Sequence, residues 1–146
     1  MEIQTTRFGR VQVESDDVIT FPQGLVGMPD CRQWVLLADV SNDALGWLQC
    51  VSRSDIALAV VSPRRFVPGY QVRITRSELQ ALGLDEAASA QVLAVANRSE
   101  RGATINLQAP LVINLEERLG RQIVAKGELP LQYEVMPPAT PLRKSA

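Results

Sequence analysis

The chain has 146 residues, a length typical of one domain, and its 46% hydrophobic and 21% charged residues are the balance of an ordinary globular protein. Fifteen basic and sixteen acidic residues give a net charge of −1, which argues against a protein held on nucleic acid by the release of counterions. The chain has no histidine, which excludes serine–histidine and cysteine–histidine hydrolases and all histidine-ligated metal sites.

The two cysteines, Cys31 and Cys50, are too few for a four-cysteine zinc site or an iron–sulfur cluster within one chain. We expect them to be reduced and buried as small hydrophobic residues, because the sequence shows no signal peptide. The longest purely apolar run, residues 56–61, is far shorter than the roughly 20 residues that a membrane-spanning helix needs. We therefore expect a soluble, cytoplasmic protein.

Apolar and polar residues alternate along most of the chain with a period of two, which is the pattern of half-buried strands. The first predicted element is a hairpin that turns at Phe8-Gly9. Further strands are predicted, most of them separated by turn residues, at residues 18–21, 34–37, 47–51, 56–61, 70–74, 92–96, 103–107, 111–115 and 122–125. Many short strands predict a mainly β fold, an antiparallel barrel-like or sandwich domain.

One segment departs from this period and predicts a short α-helix near residues 76–82. Thr75 and Glu78 have the spacing of a capping box, and Gly83 follows the last apolar residue. Residues 56–61 and 92–96 are apolar on both faces, so we expect them to be central strands covered on each side. The predicted helix is one candidate for the element that covers them. Residues 1–136 are expected to form one domain, and residues 137–146 a mobile tail.

The titratable residues form no catalytic pattern. Adjacent residues of a strand point to opposite faces, so neither Asp16-Asp17 nor Glu116-Glu117 forms a catalytic carboxylate pair by itself. Lys126 is better explained as a surface lysine than as a Schiff-base amine, and the glycines form no phosphate-binding loop. We therefore expect no enzymatic activity, no metal and no cofactor.

A loop at residues 63–70, with the sequence P-R-R-F-V-P-G-Y, places two arginines and two aromatic residues between prolines. Three interpretations stay open. Phe66 and Tyr70 pack in the core, or the loop binds a protein, or its aromatic rings stack on single-stranded bases. Trp34 and Trp47, which lie in predicted strands, are expected to be core anchors.

Several motifs together resemble those of one known family. The sequence T-F-P-Q-G-L-V-G at residues 20–27 resembles the T-F-P-x-G-x-x-G segment of the flagellar assembly factor FliW family. The sequence N-L-Q-A-P-L-V-I-N at residues 106–114 is similar to that family's N-L-x-A-P-[IL]-V-I-N signature, and G-R-Q follows at residues 120–122. The Arg7-Phe8-Gly9 turn, W-L-Q at residues 47–49 and P-G-Y at residues 68–70 fall in the family's order. The resemblance covers about residues 1–126.

The resemblance implies a small, barrel-like cytoplasmic protein without catalysis. Members of the family bind newly made flagellin as a chaperone, and they also bind CsrA, the RNA-binding protein that represses translation of flagellin message. When flagellin is exported, the freed family member captures CsrA, and flagellin synthesis resumes. The residues alone leave two alternatives, a nucleic-acid-binding β-barrel protein and, behind it, an unrecognised enzyme.

The predicted partner-binding residues lie in the loop at residues 63–70 and in the segment 21–28, because arginine and aromatic side chains held in place by proline often anchor interfaces. They are Arg64, Arg65, Phe66, Val67, Tyr70, Leu25 and Met28. The expected partners are flagellin and CsrA, with no direct contact to nucleic acid or membrane.

Overall fold

The computed structural model describes residues 1–100, 102–125 and 129–136. Within them the bounds of the helix and strands are α1 (Arg76–Ala81), β1 (Glu2–Thr5), β2 (Gly9–Gln12), β3 (Val18–Thr20), β4 (Gln33–Ala38), β5 (Leu45–Cys50), β6 (Ala57–Val61), β7 (Gln91–Ser99), β8 (Gly102–Ile105), β9 (Leu111–Asn114), β10 (Leu119–Gln122) and β11 (Tyr133–Met136). The predicted tail, residues 137–146, and Lys126 lie outside the described residues. No helix in the described part of the chain has the length and hydropathy needed to span a membrane.

Seven strands close into a barrel in the order β7, β6, β5, β4, β3, β10 and β9, and β9 pairs back onto β7. Strand β7 is long enough to pair with two strands on the same side: its residues 91–93 pair with β9 and close the barrel, while its residues 96–99 pair with β8. Strands β8 and β11 extend the sheet beyond the barrel. All pairs are antiparallel except β3 with β10, which is parallel and rests on one residue pair, Thr20 with Leu119. The predicted mainly β, barrel-like fold is confirmed.

The largest apolar cluster fills the barrel, because six of the seven barrel strands contribute to it. It consists of Ile19, Phe21, Leu25, Cys31, Trp34, Leu48, Cys50, Val60, Leu93, Leu111 and Ile113. Val60 and Leu93 belong to this interior cluster, whereas the next residues along their strands, Val61 and Ala94, belong to a cluster on the outside. Strands β6 and β7 are therefore covered on both faces, as predicted for residues 56–61 and 92–96.

Three smaller clusters lie on the outside of the barrel, each beneath a covering segment. The β1–β2 hairpin covers a cluster of Ile3, Val13 and Val35. Helix α1 and its flanks cover a cluster of Leu82, Val112 and Ile123. The third, the outer β6–β7 cluster, lies beneath the segment 63–72 and β11, and it consists of Val61, Tyr70, Ala94, Ile105 and Leu107. The helix therefore covers β9 and β10, and its candidate placement over residues 56–61 and 92–96 was wrong.

The predicted helix and hairpin are both present. Thr75 Oγ1 accepts a hydrogen bond from the Glu78 N–H at 3.2 Å, and the Thr75 N–H donates to Glu78 Oε1 at 2.8 Å. This capping box satisfies two N–H groups at the start of a helix that is too short to be stable alone. The hairpin pairs Glu2 with Gln12 and Thr5 with Gly9.

Two strand predictions need correction, and one strand was missed. Residues 70–74 do not form a strand, although Val72 and Ile74 alternate with exposed residues, because this extended segment pairs with no described strand. The strand predicted at residues 122–125 begins earlier, at Leu119, and ends at Gln122. Strand β11 was not predicted at all. Its Tyr133 and Val135 pack against the outer β6–β7 cluster beside β8.

Candidate partner-binding surface

The loop at residues 63–70 is held to the barrel by its own backbone. It begins with one turn of 3₁₀ helix, Pro63–Arg65, in which Pro63 is buried. The Val67 N–H donates to the Pro63 carbonyl at 2.9 Å, and the Tyr70 N–H donates to the Val67 carbonyl at 2.9 Å. Arg64 Nε donates to the Tyr70 carbonyl at 3.0 Å, which ties the two ends of the loop together. The loop is therefore ordered before any partner arrives.

Tyr70 fixes the end of this loop. Its side chain is buried in the outer β6–β7 cluster, and its hydroxyl donates a hydrogen bond of 2.6 Å to the Leu107 carbonyl. Burial raises the pKa of the Tyr70 hydroxyl, because the tyrosinate would lose its hydration there. Tyr70 thus holds the loop in place, and its ring presents little surface to a partner.

The other predicted loop residues divide into exposed and half-buried ones. Arg64 and Arg65 are exposed, whereas Phe66 and Val67 are half-buried against the outer β6–β7 cluster. Core packing and partner binding are therefore not exclusive here, because the inner side of the Phe66 ring packs while its outer side stays in solvent. The loop presents two guanidinium groups beside a partly exposed aromatic ring, a combination enriched at protein interfaces.

The segment 21–28 folds into a tight turn at the end of β3. Leu25 and Met28 exchange backbone hydrogen bonds of 2.8 and 3.2 Å, which places Val26 at the tip with 66% of its surface exposed. Gly24 has a φ of +67°, and a Cβ there would lie 2.5 Å from the Met28 carbonyl oxygen, so the turn requires glycine. Leu25 is buried and Met28 half-buried in the interior cluster.

The two predicted segments do not form one surface. Leu25 and Met28 pack inside the barrel, whereas Phe66, Val67 and Tyr70 pack on its outside against β6 and β7. The structure therefore separates the seven predicted residues into two groups.

A groove runs beside the segment 21–28, and the sequence did not predict it. Its walls are residues 22–26 and the end of α1 at Ala81 and Leu82, its floor is β10, and its volume is about 420 Å³. Gln122 crosses one end, because its Oε1 accepts the Val26 N–H at 2.7 Å while its Nε2 donates to the Ala109 carbonyl at 3.0 Å. Two motifs noted in the sequence border this groove: T-F-P-Q-G-L-V-G at residues 20–27 contributes one wall, and G-R-Q at residues 120–122 lies on the floor.

Two asparagines of the segment 106–114 shape turns around the same region. Asn106 Oδ1 accepts the N–H groups of Gln108 and Ala109 at 3.0 and 3.1 Å. Asn114 Nδ2 donates to the Leu82 carbonyl at 2.8 Å, and its Oδ1 accepts the Glu117 N–H at 3.2 Å. Asn114 therefore joins the end of α1 to the β9–β10 turn. Both asparagine side chains stabilise the local backbone conformation through hydrogen bonds to backbone groups.

Trp34 lies in the core as predicted, but Trp47 does not. Trp34 is fully buried in the interior cluster. Trp47 is half-buried on the outer face of β5, where the Arg7 guanidinium lies 4.2 Å from the centre of its ring. Its Nε1 donates to Asp39 Oδ1 at 3.0 Å, and this bond, with two further ones from Ser41, lowers the pKa of the Asp39 carboxyl. The β1–β2 hairpin supplies Arg7, so local sequence could not place Trp47.

The described residues contain no group of three metal-ligating side chains. Cys31 and Cys50 are free thiols buried in the interior cluster, as predicted, and burial is the main cause that raises the pKa of Cys31. Asp16 and Asp17 are exposed in a 3₁₀ turn, and Glu116 and Glu117 are exposed in the β9–β10 turn. Neither doublet therefore forms a paired carboxylate site.

Comparison with known proteins gives consistent matches. Residues 2–135 match the family model described as FliW protein. The flagellar assembly factor FliW of Natranaerobius thermophilus is 35% identical over 127 residues, which cover 85% of this chain and 84% of the relative. The protein of the same name from Bdellovibrio bacteriovorus is 37% identical over 126 residues, which cover 85% of this chain and 72% of the relative.

A solved structure, described as the crystal structure of the flagellar assembly factor FliW, superposes on this chain with a TM-score of 0.86. The match covers 96% of this chain and all of the solved one, and its 24% identity makes it evidence for the fold alone. The family model and the sequence relatives are the evidence for the family. The chain belongs to the FliW family of flagellar assembly factors.

Proposed function

We propose that this protein is a non-catalytic flagellar assembly factor that binds newly made flagellin as a chaperone and binds the translational regulator CsrA. Both activities belong in the cytoplasm, where flagellin is translated. Flagellin and CsrA draw on the same pool of this protein, so that export of flagellin frees it to capture CsrA. Relief of CsrA repression then restores flagellin synthesis. Membership of the FliW family supports the flagellar role, and the loop at residues 63–70 supports the binding of a protein partner.

The pre-ordered loop is the observation that carries the proposal. The bond from Arg64 Nε to the Tyr70 carbonyl, together with the bond from the Tyr70 hydroxyl to the Leu107 carbonyl, fixes its conformation. A loop that is already ordered loses less conformational entropy on binding. Arg65 and the exposed side of Phe66 are then available as anchors, since arginine and aromatic residues dominate interface hot spots.

The charge of the loop favours flagellin as its partner. Arg64 and Arg65 lie next to each other and are exposed, and no salt bridge to either occurs among the described residues. A basic, RNA-binding protein such as CsrA would be repelled by two neighbouring guanidinium groups. We therefore assign the loop to flagellin and place the CsrA contact elsewhere on the surface.

The test measures binding of the purified protein to flagellin and to CsrA from the same bacterium by calorimetry. Arg65→Ala and Phe66→Ala should each weaken flagellin binding by about 2 kcal/mol, roughly thirtyfold, and leave CsrA binding unchanged. Arg10→Ala is the matched control, because Arg10 is also an exposed arginine but lies on the β1–β2 hairpin. Thermal melting of each variant identifies losses of binding that come from unfolding.

Two results would contradict the proposal. Wild-type protein that binds neither partner removes the function, and normal flagellin binding by folded Arg65→Ala and Phe66→Ala variants removes the loop from the interface. The nucleic-acid alternative is tested by a gel shift with flagellin message and no CsrA. With a net charge of −1, no complex is expected at ordinary salt.

A further inference from the structure

Strand β10 has a free edge at the place where the barrel closes. The β4–β5 pair spans five residue pairs, but β3 meets β10 only at Thr20 and Leu119. Beyond Thr20 the chain turns away through Phe21 and Pro22, whereas β10 continues to Gln122. One side of β10 is therefore left without a neighbouring strand from Gly120 onward.

The backbone groups on this edge point into the groove. In an antiparallel pair, residues alternate between facing the partner strand and facing away from it. The Ile123 N–H donates to the Pro110 carbonyl, and the Ala125 N–H donates to the Gln108 carbonyl. The backbone N–H and carbonyl groups of the odd-numbered residues therefore face β9 and the residues that precede it. Gly120 and Gln122 therefore face the other way, and Arg118 confirms this, because its carbonyl accepts the Thr20 N–H at 2.9 Å.

These edge groups face away from β9, and no loop residue in the described part of the chain bonds to them. The Gly120 carbonyl and the N–H and carbonyl of Gln122 bond to no described loop residue. The turn beside them is joined to β10 through the Gln122 side chain, not through its backbone. A row of unpaired N–H and C=O groups in a groove is a template for one more strand.

The walls of the groove define the chemistry of that strand. Val26, on one wall, is 66% exposed and offers apolar surface to a side chain of that strand. Arg121 supplies the positive charge of the lining, and it forms no salt bridge with any described residue. An occupant with apolar residues and a carboxylate therefore complements both the surface and the charge.

We propose that the free edge of β10 binds an extended segment of partner polypeptide as an additional strand, with a carboxylate of that segment placed against Arg121. A helix would leave the edge groups of Gly120 and Gln122 unpaired, whereas an extended chain pairs with them. The choice of flagellin as the source of this segment rests on the function proposed above. The groove then holds an extended part of flagellin before export.

The test uses synthetic peptides of about 12 residues that tile the flagellin sequence, because a strand of this length spans the whole edge. Ala81→Trp fills the groove from the exposed end of α1, and Gln80→Trp places the same ring on the neighbouring exposed position that does not line the groove. Arg121→Glu reverses the charge of the lining, and Arg73→Glu is its exposed control outside the groove.

An acidic, partly apolar peptide is expected to bind, with a loss of about tenfold or more in Ala81→Trp and in Arg121→Glu and little change in the two controls. Binding should also slow hydrogen exchange of the Gln122 amide, because that N–H becomes part of a new ladder. This second measurement reports strand pairing, which a change in overall stability would not imitate at a single amide.

The outcomes separate the two proposals. If flagellin binds but Ala81→Trp binds it as tightly as wild type, or if the Gln122 amide exchanges equally fast with peptide bound, the β10 proposal fails and the proposed function stands. If neither flagellin nor any of its peptides binds, both fail.

Discussion

The contact between Gly120 and the Phe21 ring gives a sharp test of how the barrel is packed. A Cβ built on Gly120 would overlap three atoms of the Phe21 ring, the farthest of them 2.9 Å away, and Phe21 is fully buried. Gly120→Ala must therefore push the ring by roughly 1 Å within a close-packed interior. The backbone of Gly120 is not left-handed, so the methyl group itself is the only source of strain.

The expected cost follows from these contacts. Overpacking a core costs about 1–3 kcal/mol, while replacing glycine by alanine recovers about 0.4–1 kcal/mol by restricting the unfolded chain. Gly120→Ala should therefore lower the free energy of unfolding by about 1–2 kcal/mol. Gly69→Ala is the matched control, because its Cβ meets no atom within 4 Å and its φ is not left-handed. That variant should be slightly more stable than wild type.

Urea unfolding followed by tryptophan fluorescence measures both changes, since Trp34 lies in the same interior cluster. Phe21→Leu removes the ring atoms that clash, so the double variant Phe21→Leu with Gly120→Ala should be more stable than the sum of the single effects by about 1 kcal/mol or more. Strictly additive effects, or a Gly120→Ala protein as stable as wild type, would refute the packing described for this end of the barrel.

Two further predictions concern single hydrogen bonds. Tyr70→Phe removes the bond to the Leu107 carbonyl and should cost about 1–2 kcal/mol of unfolding free energy. Burial raises the pKa of the Tyr70 hydroxyl in the folded state, so the unfolded chain loses this proton at a lower pH than the folded one. The free energy of unfolding should therefore fall as the pH rises above about 10. In urea titrations, Tyr70→Phe should lose less stability over this range than wild type. Because its hydrogen bonds lower the pKa of Asp39, the bond from Trp47 should persist until the pH falls below the ordinary carboxyl value of 3.8. The tryptophan emission of wild type should show a transition below that pH that comes from Trp47, and an Asp39→Asn protein with the same acid transition would contradict this assignment.

Elements with a complete local signal were predictable from sequence. The Thr75–Glu78 capping box needs only residues three positions apart, and the β1–β2 hairpin needs only two alternating runs about a turn. The failures come from partners distant in the chain. The alternation at residues 70–74 indicates an extended backbone with one buried side, but it cannot show that no strand lies beside it.

The candidate site was predictable only in part for the same reason. A loop with arginine, aromatic and proline residues is visible in the sequence, whereas the hydrogen bond from Tyr70 to the Leu107 carbonyl that holds it is not, and its partner-binding role stays a prediction. The groove is different, because it forms where residues 22–26, the end of α1 and β10 meet in space. Trp47 is likewise of a residue type that is usually buried. Its place on the outer face of β5 becomes clear only in the structure, where Arg7 of the β1–β2 hairpin lies over its ring.

The parallel pairing of β3 with β10 has a consequence for how the chain acquires its structure. Arg118 Nη2 donates to the Asp17 carbonyl at 2.7 Å across a separation of 101 residues, and the Thr20–Leu119 pair beside it is almost as far apart in sequence. Bringing such distant residues together carries a larger entropic cost of loop closure than the pairing of β3 to β6, in which each strand pairs with the next one along the chain. During synthesis the four-stranded meander can form early, but the barrel that encloses its apolar inner face cannot close before residue 119 has been made. Closure of the barrel thus comes after all of β3 to β9 have been translated.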